Sequence, residues 1–272
     1  MKIQFRNDHI SVFESQLFRT TTTVIQTEDL VIIVDPNWLP SEIDFLCRYI
    51  DKILNNRPLY LLFTHSDYDH IIGYGAFPNA KTIASEAFVK QIDSNEILQQ
   101  IHQFDQDYYL TRNYNIEYPK IDYVVKKDSQ QLEIGNTKFT FYLAPGHNSD
   151  GIFTIVENAN CWIAGDYLSN EEFPFIYQSS LNYEMTLDKV DYILKHHTIC
   201  LMIPGHGDCT TNKSEMLQRR ADSMSYIQNI RKSIQENRPF EETKLWEKYK
   251  FPLLQKKFHL DNIELIKKEL EK

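Results

Sequence analysis

Short apolar runs and helical spacings alternate along the first third of the chain. Residues 20–27 are rich in β-branched side chains. Leu30-Val31-Ile32-Ile33-Val34-Asp35 is an apolar run closed by Pro36-Asn37, so two strands are predicted with Glu28-Asp29 as the turn between them. Over residues 40–55, Ile43, Leu46, Cys47, Ile50, Ile53 and Leu54 recur at helical spacing, with Pro40 in the first turn and Ser41 as a possible cap, which predicts an amphipathic helix. Leu59-Tyr60-Leu61-Leu62-Phe63-Thr64 is a continuous apolar run, as expected of a strand covered on both faces, and it leads directly into His65-Ser66-Asp67-Tyr68-Asp69-His70.

A helix is expected over residues 85–104. The Tyr- and Asp-containing stretch 105–120 fits neither period and reads as an insertion or lid. Alternation over residues 121–143 describes a meander of strands broken at Gly135-Asn136 and ending at Ala144-Pro145-Gly146-His147. Residues 152–156 and 161–164 read as a hairpin closed by Gly165-Asp166. A helix over 187–197 and a strand over 199–203 follow, the strand ending at Pro204-Gly205-His206-Gly207. Past Ser214 the pattern turns helical. One helix carries Met216, Leu217, Met224, Ile227 and Ile230, another spans 262–271, and Trp246, Tyr249, Phe251 and Leu253 are expected to dock the tail. The division anticipated is a main domain over 1–235 and a helical extension over 236–272 packed on it.

Composition narrows the function classes. The 272 residues carry 29 Lys+Arg against 38 Asp+Glu, a net charge of −9, which repels phosphate backbones and anionic lipid headgroups. Neither nucleic acid nor a membrane is expected as a partner; a small-molecule substrate is. No basic segment followed by an apolar stretch opens the chain, and four widely spaced cysteines show no Cys-x-x-Cys pairing, so a reducing, cytoplasmic compartment is expected.

The chemistry gathers at strand ends, where α/β folds present ligands from loops over a rigid sheet. His65, Asp67, Asp69, His70, His147, Asp166 and His206 all fall at such places. Imidazole and carboxylate together suit zinc, iron or manganese, and seven groups exceed what one ion needs, so two divalent ions are the simpler account. Alternation along an extended segment would send His65, Asp67 and Asp69 to one side, with a turn bringing His70 round. His9, His102, His196, His197 and His259 are assigned to packing or surface, although His102 lies beside the possible lid. Cys209 is assigned to packing. Phe173-Pro174-Phe175-Ile176-Tyr177 is read as core beneath a loop in preference to a pocket wall.

These residues resemble the metallo-β-lactamase superfamily, whose hallmark is His-x-His-x-Asp-His after a strand, then Pro-Gly-His, Gly-Asp and Gly-His in that order. The resemblance extends over roughly residues 1 to 235. It implies an α/β fold, a four-layer αβ/βα sandwich, with a dinuclear metal centre at its open edge. It further implies that His65, Asp67 and His147 hold one ion and Asp69, His70 and His206 the other, with Asp166 bridging. Asp67 stands where the family pattern usually has His; its alternative role is to orient a ligating histidine from outside the ligand set. The extra carboxylate makes the site harder, favouring iron or manganese over zinc, and leaves two ions, a bridging hydroxide and three carboxylates about neutral.

The implied activity is hydrolysis of a small ester, lactone, thioester or phosphodiester. The bridging hydroxide arises because a metal lowers the pKa of water to about 7, and Asp69 orients it. Pocket candidates outside the ligands are Tyr68, Asn148, Tyr167, Asn170 and the 105–120 stretch. The alternative is a flavodiiron-like oxidoreductase, which also resembles this pattern with a carboxylate in the second position and would need a separate electron donor. A nucleic-acid-processing enzyme of this fold would need a basic surface absent from the composition. An exported lactamase would need an export segment, and a purely metal-binding role leaves a full ligand complement without use.

Overall fold

The computed structural model describes residues 1–271. Lys272, the last residue of the anticipated extension, lies outside them. Two sheets face each other. The first has the order β1-β2-β3-β4-β5-β6-β7, formed by Lys2–Arg6, Ile10–Glu14, Thr21–Gln26, Val31–Val34, Leu59–Leu62, Lys81–Ser85 and Tyr123–Val125. The second has the order β12-β11-β10-β9-β8, with β8 Gln130–Ile134, β9 Thr137–Leu143, β10 Ile152–Val156, β11 Cys161–Gly165 and β12 Leu201–Pro204. In the first sheet β1 to β4 pair antiparallel and β4 to β7 parallel. In the second only β11 and β12 are parallel.

Three apolar clusters define four layers. Ile10, Ile25, Ile32, Val34 and Leu62 of the first sheet meet Phe139, Phe141, Ile163 and Ile203 of the second, forming the central core. The outer face of the first sheet packs on α1 (Pro40–Ile53), α2 (Tyr68–Ile71), α3 (Glu86–Val89) and α4 (Ser94–Asp107). The outer face of the second packs on α5 (Ser180–His196), α6 (Lys213–Gln235), α7 (Thr243–Lys248) and α8 (Pro252–Leu270). This is the αβ/βα sandwich expected from the motifs. Each large apolar side chain buried between the sheets contributes about 1.5–3 kcal/mol, which makes the strand ends a stiff platform.

Several elements differ from the sequence reading. β1 and β2 were not anticipated, because β1 is largely solvent-facing and carries Lys2, Gln4 and Arg6. The single helix expected over 85–104 is two helices, α3 and α4, broken around Gln91-Ile92, and strand β6, which ends at Ser85, was not anticipated. The meander over 121–143 is split: β7 closes the first sheet, and the chain crosses to the second sheet before β8. Helix α5 starts seven residues before the expected Leu187, capped by the Ser179 side chain, and α8 starts at Pro252 instead of Asn262. Of the docking residues, Trp246 and Tyr249 join the core around α6 and α8, whereas Phe251 and Leu253 are exposed. No helix among the described residues is long and apolar enough to cross a membrane.

Candidate metal centre

All seven candidate side chains converge at one edge of the sandwich, beyond the C-terminal ends of β5, β9, β11 and β12. Two donor groups form, one from His65, Asp67, His147 and Asp166 and the other from Asp69, His70 and His206; within each group the donor atoms lie within 4.8 Å of one another. In the first, Asp67 Oδ2 is 3.1 Å from His147 Nε2 and 3.5 Å from His65 Nε2. In the second, Asp69 Oδ2 is 3.4 Å from His206 Nε2 and 3.5 Å from His70 Nε2. Asp166 faces both groups. Its Oδ2 is 3.4 Å from His147 Nε2 and 3.4 Å from His206 Nε2, and its Oδ1 is 3.2 Å from His70 Nε2.

Local geometry explains the convergence. Asp69 and His70 sit in the short helix α2, with Asp67 just before its first turn, so these groups are gathered by a helical turn and not by the strand alternation expected. Gly205 lets the last loop pass against the site, since a Cβ there would collide with Asp166 Oδ1 and crowd His70. Gly146 has φ +128°, and a side chain on it would strike the Tyr183 backbone.

Each imidazole is tied on its outer nitrogen. His65 Nδ1 lies 2.9 Å from Thr64 Oγ1, His70 Nδ1 2.9 Å from Asp35 Oδ2, His147 Nδ1 2.7 Å from the Phe175 carbonyl, and His206 Nδ1 2.9 Å from the Phe18 carbonyl. The inner Nε2 atoms are thereby aimed at the shared space, and those of His65 and His70, like Asp166 Oδ1, are buried without a hydrogen-bond partner. Such orphaned atoms are costly unless a cation takes them up. Donors about 2.0–2.2 Å from a common ion lie roughly 3.0–3.6 Å from one another, which is the spacing seen here, so the residues fit a pair of divalent ions.

The electrostatics fit as well. Burial would lower the His147 imidazole, but the Asp67 and Asp166 carboxylates overcome this and raise it to about 9. Burial would raise Asp67, but His147 and His65 hold it well below the usual carboxylate range. Asp166 is likewise held low against burial, by His206, His70 and His65. Glu172, facing the same cleft, is pushed up to about 7 by burial.

Sequence reasoning missed Asp35, which accepts from Thr64 N at 2.8 Å and Thr64 Oγ1 at 2.6 Å as well as bonding His70. Its signal was available: it ends the strand beside the one that delivers His65. Glu172 and Phe18 carried no comparable signal. Among the pocket candidates, Asn148 donates to Asp67 Oδ1 at 2.7 Å and Tyr68 lines the cleft. Tyr167 lies beneath the site, accepting from His147 N at 3.0 Å, and Asn170 is engaged with Asp208. The 105–120 stretch is not a lid: Arg112 pairs with Asp105 and donates to the Trp38 carbonyl at 2.8 Å, packing the segment behind Trp38. His102 is exposed away from the cleft. The aromatic group 173–177 divides. Phe173 and Ile176 are core, while Phe175 and Tyr177 wall the cleft.

The model of the metallo-β-lactamase superfamily matches residues 16–206, and the chain belongs to that superfamily. No curated protein matches it in sequence. Among solved structures it is similar to a double mutant of the sec-alkyl sulfatase PisA1, with TM-score 0.65 and 11% identity, covering 86% of this chain and 43% of that one. It is similar to an archaeal metallo-β-lactamase superfamily protein from Sulfolobus tokodaii, with TM-score 0.57 and 16% identity over 98% of this chain and 99% of that one. It is also similar to rubredoxin oxygen:oxidoreductase from Desulfovibrio gigas, with TM-score 0.55 and 13% identity over 84% of this chain and 62% of that one. At these identities the likeness concerns the fold.

Proposed function

We propose that this chain is a metal-dependent hydrolase with a dinuclear centre, acting on a small-molecule ester, lactone, thioester or phosphodiester. The observation that carries the reading is the pair of donor groups sharing Asp166, with four inner imidazole nitrogens aimed between them. His65, Asp67 and His147 would hold one divalent ion, zinc, iron or manganese, and Asp69, His70 and His206 the other, with Asp166 on both. When bound, the ions supply an acidified water and a Lewis acid for the substrate's carbonyl or phosphoryl oxygen. Asp69 would also accept a hydrogen bond from the attacking water and orient it. Asp35 and Thr64 keep the His70 and His65 rings turned inward, and Asn148 fixes Asp67. A reducing compartment is part of this reading, consistent with Cys47, Cys161, Cys200 and Cys209 all being free thiols.

An oxidoreductase reading draws on two observations: the Asp67 carboxylate turned into the first donor group and the likeness to rubredoxin oxygen:oxidoreductase. A turnover screen on metal-loaded protein over ester, lactone, thioester and phosphodiester chromogens, with and without chelator, separates the two. Chelator-sensitive hydrolysis is expected. Oxygen consumption with an electron donor, and hydrolysis of none of these, would replace the hydrolase by the oxidoreductase.

A further inference from the structure

The cleft over the donor groups has one wall that no metal motif announces. It comes from α8, whose Leu254 and Phe258, one helical turn apart, face the opening beside Phe175, Tyr177, Trp38 and Tyr68. Phe258 stacks on Phe175, with centroids 4.2 Å apart, and Tyr177 continues the surface down to His147, 5.0 Å between centroids. The apolar wall therefore begins at a ligand side chain.

α8 is fixed in place by its adjoining face. Gln255 Nε2 donates to the Glu171 carbonyl at 2.8 Å, Asn262 Nδ2 to the Pro174 carbonyl at 2.6 Å, and Asn262 Oδ1 accepts from Ile176 N at 3.0 Å. The loop that bears Phe175 and Tyr177 is thus clamped to the helix that bears Leu254 and Phe258. At the rim, Phe18, Tyr177 and Leu254 remain 46%, 47% and 45% exposed, a concentration of wetted apolar surface at the mouth of one cleft.

Charge points the same way. Among the described residues lining the cleft there is no Lys or Arg, and Arg19 nearby is already engaged by Glu14, Glu171 and Asp208. With Asp67, Asp69, Asp166 and Glu172 facing the same space, two divalent ions would be close to neutralised, leaving little field to draw an anion. From these observations we infer that the cleft takes a neutral carboxylic ester, open-chain or cyclic, whose apolar acyl chain lies against Leu254 and Phe258. This rests on the hydrolase reading. In the reaction the water oxygen bonds to the acyl carbon, the acyl C–O bond breaks, and a proton passes to the leaving alkoxide, giving acid and alcohol.

The test compares metal-loaded native protein with the Leu254→Ser/Phe258→Ser double variant on p-nitrophenyl acetate, butyrate and hexanoate, on bis-p-nitrophenyl phosphate and on p-nitrophenyl sulfate. Calorimetric titration with N-methylacetamide, N-methylbutanamide and N-methylhexanamide, which lengthen the same acyl chain, serves as a readout independent of turnover. In the native protein kcat/KM and amide affinity should each rise about fourfold per added methylene, the gain from burying one CH₂, and both anionic substrates should be slower than the acetate. The double variant should reduce that slope to below about twofold. A flat series in both readouts, or preference for the phosphodiester or the sulfate, overturns the inference. Amide affinity that climbs with chain length while no ester is hydrolysed keeps the apolar subsite and refutes the hydrolase reading instead.

Discussion

Replacing Asn262 with Leu removes the fastening between α8 and the loop over the site. Asn262 is 1% exposed. Its amide satisfies the Pro174 carbonyl and the Ile176 amide, the two groups flanking Phe175, and also donates to Tyr226 Oη at 3.0 Å. Leucine fills similar volume but leaves the Pro174 and Ile176 groups buried and unpaired, while Tyr226 keeps its bond to His259 Nδ1. At about 1–3 kcal/mol for each of the two orphaned groups, less about 1–2 kcal/mol gained by the buried apolar side chain, the native state should lose about 1–4 kcal/mol. A second consequence follows from the Phe175 carbonyl, which orients His147 through Nδ1. Loosening it should weaken the ion held by His147 about tenfold, the low end of what losing a direct orienting partner costs. Urea unfolding of the metal-free protein measures the first effect, and chelator competition measures the second. A loss below about 0.5 kcal/mol together with unchanged metal affinity would show that α8 merely covers the site, and would refute the clamp.

Two further outcomes can be checked. Asp67→His should keep the fold, add one positive unit to the centre and raise zinc occupancy relative to iron or manganese; elemental analysis after growth with all three metals decides, and an unchanged preference contradicts the charge argument. Burial holds His259 below its usual pKa, so on acidification the unfolded chain takes up a proton near its ordinary pKa of about 6.5 while the folded chain does not. Stability should therefore fall from pH 7.5 to 5.5 more steeply in the native protein than in His259→Leu, by at most about 1.4 kcal/mol per pH unit; parallel curves from urea unfolding would exclude this role.

The site was more legible in the sequence than the walls around it. His65, Asp67, Asp69, His70, His147, Asp166 and His206 stand at strand ends because the apolar runs before them are buried on both faces, a pattern that survives in one dimension. Most of what orients them did not show, Asp35 at its strand end excepted. Asp35 acts from the neighbouring strand, Thr64 acts on the residue next to it, and Phe175 and Phe18 act through backbone carbonyls, which no side-chain pattern reveals. α8 was half hidden because its polarity is inverted: Gln255, His259 and Asn262 point inward to bond the loop and Tyr226, while Leu253 and Leu260 face solvent. β6 went unread because Lys81–Ser85 is a five-residue strand whose short buried run is too brief to show a period of its own.

On the proposed reading, seven side chains from four strand ends hold two divalent ions through a shared carboxylate. The most direct measurement is metal content per chain after loading with manganese, iron or zinc and exhaustive dialysis, for the native protein, Asp166→Asn and His206→Ala. About two ions are expected per native chain, at most one in His206→Ala, and loss of both in Asp166→Asn at a shared weakened site. A native chain that retains no divalent ion, or variants that retain as many as the native chain, would contradict that reading.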